Sequence, residues 1–240
     1  MDEYLFPLKD RQIIAEGTMA AWLDTTGSNF TFRAGQYADF ILIDPPETDG
    51  EGNKRSFSIA SSPSKHGSIM IATRLRDTAF KRTLATMPLG TKVKVKGPMG
   101  SFVLHQHVER PAMFLVGGIG ITPVHSIIMD ALERNLPYPL YLFYSNPTAQ
   151  ATTFFSEFED LANHYPNFHF IPTITDAKDE RWMYETGYID EAMITKHVPN
   201  ASSALAYVVG PPAMVSAMLK VTHKIGVVED SVHTEEFAGY

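Results

Sequence analysis

The hydrophobic periodicity of the chain changes near residue 110, and this change limits the possible folds more than any other feature. Before it, apolar and polar residues alternate in short runs that end at Gly, Pro, Asp or Asn. After it, apolar runs of strand length alternate with segments in which apolar residues recur at helical spacing. The pattern predicts an all-β domain at residues 1–108, followed by an α/β domain at residues 109–240.

The first domain is predicted to be an antiparallel β-barrel or sandwich. Its expected strands cover residues 12–23, 29–33, 36–43, 55–61, 68–75 and 91–97. One helix interrupts them at residues 77–87, with Asp77 or Thr78 as its cap. In the last strand, Lys92, Lys94 and Lys96 share one face, which we interpret as an edge strand protected against aggregation rather than a docking patch.

The second domain is predicted to be an open, doubly wound parallel sheet. Its expected strands cover residues 112–118, 140–145, 168–175 and 204–210. The expected helices cover residues 122–134, 152–164, 189–197 and 212–225. Strictly alternating strands and helices are typical of parallel βαβ units.

Composition and charge exclude several functions. The net charge of −7 argues against a nucleic-acid binder, and it divides into +2 for residues 1–105 and −9 for residues 106–240. With no cysteine, the chain has no disulfide, Cys-ligated cluster or catalytic thiol. His105 and His107 lack a third ligand nearby, so we expect solvated histidines and no metal site. We expect no membrane span and a cytoplasmic location.

Two glycine-rich turns predict a site for a phosphate-bearing ligand. In "FLVGGIGITPVHSII", residues 114–128, a buried strand ends in Gly117, Gly118 and Gly120 before a helix begins. Such glycines admit a pyrophosphate to the backbone, and the helix start stabilises its charge. A second turn, in "YVVGPPAMVSAM" at residues 207–218, also joins a strand to a helix. Both turns lie where doubly wound sheets bind ligands, at the carboxyl ends of strands.

The strand "RSFSIAS", residues 55–61, carries a further candidate ligand contact. Arg55 and Phe57 project from one face, and Ser56 and Ser58 project from the other. An arginine beside an aromatic residue suits an anionic, planar ligand.

Several motifs in a fixed order resemble the ferredoxin–NADP reductase family of flavoprotein oxidoreductases. They are "FRAGQYADF", "RSFSIAS", "GPMGSF", "GGIGITP", "VGPPAM" and the terminal "EEFAGY". The resemblance implies an N-terminal FAD-binding Greek-key β-barrel and a C-terminal NAD(P)-binding α/β domain. It also implies hydride transfer from the nicotinamide C4 to the flavin N5, and then electron transfer to a separate acceptor such as a small redox protein or free flavin.

The resemblance assigns residues of the first domain to the flavin. Arg55 would pair with the FAD pyrophosphate, Phe57 would lie against the flavin in place of the family's usual Tyr, and Ser58 would hydrogen-bond near N5. The further flavin contacts implied are Ser56, Thr73, Arg74, Leu75, Thr78, Ala79 and Phe80. Lys81 and Arg82 are interpreted as solvated helix charges.

Residues of the second domain are assigned to the nicotinamide dinucleotide in the same way. The implied contacts are Gly117, Gly118, Gly120, Thr122, Pro123, Ser145, Asn146, Gly210, Pro211 and Met214. Val209 stands where the family has a Cys near the nicotinamide C4. Pro147 stands where many NADP users have an Arg, which favours NADH over NADPH, although Lys178 or Arg181 could supply a cation.

The terminal motif is implied to reach the nicotinamide face of the flavin. We assign catalytic roles to Ser58, Glu236 and Phe237, with Tyr240 as a further cofactor contact. Two alternatives stay open: a flavin reductase that uses free flavin as a substrate, and a nucleotide-binding electron-transfer or regulatory subunit of a complex.

Overall fold

The computed structural model describes residues 2–176 and 181–237, so Lys178 and Tyr240 lie outside the described residues. The chain forms two compact units. The first comprises Met1–Val103 with Thr122–Asp130, and the second comprises Leu104–Ile121 with Ala131–Tyr240. Within the described ranges, none of the helices combines the length and the apolar character that a membrane crossing requires.

The first unit contains a six-stranded antiparallel sheet in the order β4-β3-β6-β1-β2-β5. Its strands are β1 (Glu3–Ala15), β2 (Thr18–Asp24), β3 (Tyr37–Leu42), β4 (Lys54–Ser58), β5 (Ser68–Arg74) and β6 (Lys92–Met99). Beyond β4, the N–H of Ala60 donates to the carbonyl of Met70 on β5 at 2.7 Å. This bond connects the two ends of the strand order, as the predicted Greek-key barrel requires.

The predicted strand at residues 29–33 is wrong, because this segment has no ladder of backbone hydrogen bonds. Its alternating pattern has a different cause. Phe30 and Phe32 pack against the apolar core of the sheet, and the Phe30 ring lies edge-on to Phe6 with ring centroids 5.6 Å apart. A loop that covers a core thus imitates the period of a strand.

The interpretation of the lysine strand as an edge strand is also wrong. Strand β6 pairs with β3 on one side and with β1 on the other, so it lies inside the sheet. Lys94 and Lys96 are part-exposed on its outer face and lie 3.6 Å from the carboxylate of Glu3. These lysines therefore belong to the solvated face of an internal strand.

The predicted helix of the first unit is confirmed as α1 (Ala79–Thr86), and Thr78 is its N-cap. The backbone of Thr78 is extended, and its hydroxyl accepts from the N–H of Lys81 at 3.4 Å. Phe80 and Leu84 anchor the helix in the core. The side chain of Lys81 is half-buried rather than solvated.

The second unit contains a six-stranded parallel sheet in the order β10-β9-β8-β7-β11-β12. Its strands are β7 (Ala112–Gly117), β8 (Leu140–Asn146), β9 (Phe168–Ile174), β10 (Glu185–Thr186), β11 (Leu205–Gly210) and β12 (Val232–Glu236). The helices are α2 (Ile121–Glu133), α3 (Phe155–His164), α4 (Glu191–His197) and α5 (Pro212–Lys224). The four predicted strands and the four predicted helices are confirmed as β7, β8, β9 and β11 and as α2 to α5. Strands β10 and β12 were not predicted.

Helices cover both faces of the parallel sheet, as a doubly wound fold requires. On α3, Phe158 packs on Phe168 and Phe170 of β9. Ile171 points to the opposite face and belongs to the apolar cluster that includes residues of α4 and α5. The middle of helix α2 belongs to the first unit, where the hydroxyl of Ser126 donates to the carbonyl of Ser61 at 2.7 Å.

Candidate functional site

Arg55 lies at the start of β4 and is held by an acidic loop, residues 44–53. Its Nη2 lies 3.2 Å from Oδ1 of Asp49 and 2.9 Å from Oε2 of Glu51. The Nη1 donates to the carbonyls of Glu51 and Gly52, each at 3.0 Å. The guanidinium also lies over the ring of Phe80, with its carbon 5.4 Å from the ring centroid. These contacts fix a largely buried cation beside the start of α1.

The start of α1 and Arg55 bind the same anion. The N–H of Ala79 donates to Oδ2 of Asp49 at 2.9 Å, while Arg55 contacts the other oxygen of that carboxylate. Desolvation acts to raise the pKa of Asp49, but N–H groups of Ala79 and Glu51 together with Arg55 hold it below its usual range. Residues far apart in the chain thus form a cradle that binds a carboxylate in the folded protein.

Phe57 and Ser58 lie one strand position apart with different surroundings. Phe57 is half-buried, and its ring packs at 5.7 Å from both Phe40 and Phe80. Ser58, at the end of β4, is 3% exposed. Ser56 points to the opposite face, where its hydroxyl donates to Asp39 at 2.5 Å. The ring of Phe57 therefore takes part in core packing, and Ser56 is bound to another strand.

Thr73 and Arg74 end strand β5. Thr73 is buried, whereas the Leu75 that follows is 37% exposed. Arg74 donates to the hydroxyl of Thr18 at 2.8 Å and to the carbonyl of Glu16 at 2.9 Å. These bonds hold the arginine against the turn between β1 and β2.

The glycines of the first turn in the second unit have different physical roles. A methyl group at Gly120 would lie 2.9 Å from the carbonyl oxygen of Val209, so Gly120 permits close packing on β11. At Gly118 the same methyl would meet nothing within 4 Å, but the backbone is left-handed, with φ +55°. The carbonyl of Gly118 accepts from the hydroxyl of Tyr144 at 3.0 Å. Gly118 thus leaves free space beside a fixed turn.

The turn after β11 adjoins the turn after β7. Gly210 and Gly117 lie on neighbouring strands, and the sulfur of Met214 would be 2.3 Å from a methyl group at Gly117. Pro211 directly precedes α5, and Thr122 and Pro123 are buried in the first turn of α2. The N–H of Phe237 donates to the carbonyl of Gly210 at 3.1 Å. The two turns and the end of β12 are therefore neighbours at one edge of the sheet.

Asn146 lies at the end of β8 and has an unsatisfied side chain. It is 2% exposed, and neither its amide nitrogen nor its amide oxygen has a hydrogen-bond partner among the described residues. Ser145 beside it is half-buried. Buried amides without partners are uncommon, so Asn146 retains hydrogen-bonding capacity for a ligand.

The terminal motif assigns a catalytic role to Glu236, whereas in the structure it is Glu235 whose carboxylate is buried. Glu236 is exposed, while Oε2 of Glu235 is buried without a hydrogen-bond partner among the described residues. Burial raises the pKa of Glu235 to about 7. Glu235 lies opposite Val209 in the pairing of β11 with β12. Spacing within "EEF" alone does not indicate which carboxylate points to the buried face.

His105 and His107, which lie between β6 and β7, differ in their exposure. His105 is half-buried and its Nδ1 lies 3.0 Å from the hydroxyl of Tyr207, so the expectation that it is solvated is wrong. Desolvation lowers its pKa. His107 is exposed. The described part of the chain contains no group of three or more His, Cys, Asp or Glu residues that could hold a metal ion.

An antiparallel barrel with an anion cradle and a parallel sheet with two glycine turns are the pair of domains found in flavin- and nicotinamide-binding oxidoreductases. Models of known families agree: the oxidoreductase FAD-binding domain matches residues 6–104, and the oxidoreductase NAD-binding domain matches residues 114–220. The chain belongs to this family of FAD- and NAD-binding oxidoreductases, the ferredoxin–NADP reductase-like reductases.

Curated relatives include oxidoreductases and reductase components. The chain is 31% identical over 209 residues to the phenol hydroxylase P5 protein of Acinetobacter pittii, covering 86% of this chain and 58% of that protein. It is 30% identical over 217 residues to an NADPH oxidoreductase of Mycobacterium tuberculosis, covering 88% of this chain and 54% of that protein. The chain thus spans little more than half the length of these relatives.

Solved structures share the fold. The cytochrome P450 reductase GcoB of Amycolatopsis superposes with a TM-score of 0.84 at 24% identity, covering 98% of this chain and 70% of that one. A ferredoxin NADP+ reductase from Neisseria gonorrhoeae, solved with bound FAD and NADP, gives a TM-score of 0.80 at 16% identity and covers 98% of both chains.

Proposed function

We propose that this chain is an NAD(P)H-dependent flavin oxidoreductase that passes electrons to a separate acceptor. In this proposal, residues 1–108 hold FAD and residues 109–240 hold the nicotinamide dinucleotide. One observation carries it: Arg55 and the N–H of Ala79 bind one anionic group, at the positions that the family resemblance assigns to the FAD pyrophosphate. Bound FAD supplies the hydride acceptor, its N5, and releases the electrons one or two at a time.

The chain's own residues bind and orient the two cofactors. Arg55 and the start of α1 would neutralise the flavin phosphates, and Phe57 would offer its ring to the flavin. Ser58 would donate a hydrogen bond near the nitrogen that receives hydride. Thr73, Arg74 and Leu75 would lie along the ribityl chain and phosphate.

In the second unit, the free space at Gly118 and the unsatisfied amide of Asn146 support dinucleotide binding. Gly117 and Gly120 would keep the strand ends close, and Met214 would cover Gly117 and Gly210. We place Glu235, rather than Glu236, beside the nicotinamide, because Glu235 is the buried carboxylate at the level of Val209. Phe237 would supply the aromatic ring of the terminal motif.

We propose NADH as the preferred donor. The backbone N–H of Asp176 donates to the carbonyl of Pro147 at 2.9 Å, which brings an acidic residue to the loop assigned to the adenosine ribose. A carboxylate there would repel the extra phosphate of NADPH. Steady-state kinetics with both donors test this, and a higher kcat/KM with NADPH would contradict it.

We propose that the acceptor lies outside these 240 residues, because they contain no cysteine to ligate an iron–sulfur cluster. The Acinetobacter relative is named as a protein of a phenol hydroxylase. A protein acceptor of that general kind or a free flavin fits the proposal.

The flavin site is tested by replacing Arg55 with Ala and measuring the affinity for FAD from the quenching of flavin fluorescence. Loss of a charge-assisted hydrogen bond, about 1.5–3 kcal/mol, should weaken binding by about 10-fold or more. Lys54→Ala is the matched control, because Lys54 lies on the opposite face of β4 and pairs with Asp39 at 3.0 Å. Equal FAD affinity in both variants would remove Arg55 from the site.

A further inference from the structure

The loop at residues 44–53 carries acids that lie on the proposed flavin phosphate site. Asp49 contributes a carboxylate whose Oδ1 accepts from Arg55 at 3.2 Å and from the N–H of Glu51 at 3.0 Å. Its Oδ2 accepts from the N–H of Ala79 at 2.9 Å and lies 3.5 Å from Nη2 of Arg55. Glu51 adds a second carboxylate, 2.9 Å from the same guanidinium. Both acids come from one loop, whereas Arg55 comes from β4 and the N–H of Ala79 comes from α1.

We propose that Asp49 is an internal competitor of the flavin phosphates, a residue that lowers the affinity of this protein for FAD relative to flavins without phosphate. The inference rests on the proposed function, because it takes Arg55 and Ala79 as the phosphate-binding groups. It concerns a residue that the family motifs do not include.

The geometry of the donors makes the Asp49 carboxylate and a flavin phosphate competitors for the same hydrogen bonds. A carboxylate and a phosphate accept the same bonds from a guanidinium and from the N–H groups of a helix start. The N–H of Ala79 has one hydrogen, which a carboxylate at 2.9 Å already accepts. A phosphate can therefore reach this donor only if Asp49 moves away. Displacing the loop costs free energy, and that cost reduces the apparent affinity for FAD.

The cationic groups around Asp49 could bind an anion larger than one carboxylate. Lys81 is half-buried in the first turn of α1, and burial lowers its pKa, with Arg76 and Arg55 lowering it further. Three cationic groups thus influence one another here, next to Asp49 and Glu51. A diphosphate that displaced the loop would meet Arg55, the helix start and this half-buried ammonium.

The competing explanation is that Asp49 merely caps α1 from outside the helix. Both explanations predict that Asp49→Asn lowers the melting temperature of the flavin-free protein, since a charged acceptor is lost from Ala79 and Arg55. They differ in flavin binding. If Asp49 only caps the helix, Asp49→Asn leaves the FAD affinity unchanged or weakens it. If Asp49 competes with the flavin phosphates, Asp49→Asn weakens the competitor and FAD binds more tightly.

The test measures dissociation constants of FAD and of riboflavin for the flavin-free protein by fluorescence titration. We expect Asp49→Asn to bind FAD at least fivefold more tightly than the wild type, with riboflavin affinity unchanged. Glu47→Gln is the matched control from the same loop, because Glu47 pairs with Arg82 on the exposed side of α1. It should change neither constant.

Asp49→Ala provides a second variant that removes the carboxylate completely. If both Asp49 variants bind FAD no more tightly than the wild type, or if riboflavin binding tightens equally, the inference is wrong. Arg55→Ala, measured alongside, distinguishes a failure of this inference from a failure of the proposed function. Weaker FAD binding in Arg55→Ala with no change at Asp49 overturns this inference and leaves the proposed function standing.

Discussion

Replacing Glu235 with Gln is expected to stabilise the protein at alkaline pH and to leave its stability unchanged in acid. Burial raises the pKa of Glu235 to about 7, against an ordinary value of 4.5. The folded protein therefore holds a proton that the unfolded chain releases between these two pKa values, and stability falls as the pH rises through that interval. Below pH 4.5 both states are protonated, so the carboxyl has no effect there.

The magnitude follows from the two pKa values. A difference of about 2.5, at 1.36 kcal/mol for each unit, gives a cost of about 3 kcal/mol that is complete above pH 7. Gln keeps the shape of the side chain and has no charge to desolvate. The variant should therefore unfold at a higher urea concentration than the wild type at about pH 8, and at the same concentration at about pH 4.

Glu236→Gln is the matched control, because the neighbouring carboxylate is exposed and should show no such pH dependence. The measurement is a series of urea unfolding curves of the nucleotide-free protein across this pH range. If Glu235→Gln and the wild type differ by the same amount at every pH, the carboxylate does not titrate as a buried group and the reasoning fails.

Two further predictions concern the proposed cofactor contacts. Gly118→Ala should weaken NADH binding and cost only about 1 kcal/mol of stability, the strain of a methyl group at φ +55°. Gly120→Ala should lower the melting temperature more, because its methyl would lie 2.9 Å from the Val209 carbonyl oxygen. Calorimetric titration measures the affinity for NADH, and thermal unfolding measures the stability. If the two variants change both quantities equally, Gly118 and Gly120 do not have the different roles described here. Ser58→Ala should slow flavin reduction by NADH about tenfold, the value of one hydrogen bond, with FAD affinity retained. Stopped-flow reduction at an unchanged rate would exclude Ser58 from that step.

Much of the fold follows from local pattern. The period-2 runs and the alternation of strands with helices predict the two sheet types, and Thr78, one of the two residues indicated as a cap of α1, is the N-cap. The prediction of strands fails where tertiary contacts, rather than the local pattern, determine the structure. Phe30 and Phe32 alternate like a strand because they cover the core, and β12 is too polar to be predicted before its pairing with β11 is known.

The candidate site could be predicted only in part for the same reason. Motif residues such as Arg55 and Ala79 are indicated by their resemblance to a family, but their shared contact with Asp49 depends on how a loop folds back over α1. The choice between Glu235 and Glu236 depends on which face of β12 is buried. Adjacent carboxylates in a sequence carry no information on that until the strand has a partner.

The most direct test of the proposed function is the visible absorption spectrum of the protein supplied with FAD, recorded anaerobically before and after the addition of NADH. The proposal predicts that the flavin band bleaches much faster than in a control that contains FAD and NADH without protein. An unchanged band, although both FAD and NADH bind, would contradict the claim that this chain transfers hydride from nicotinamide to flavin.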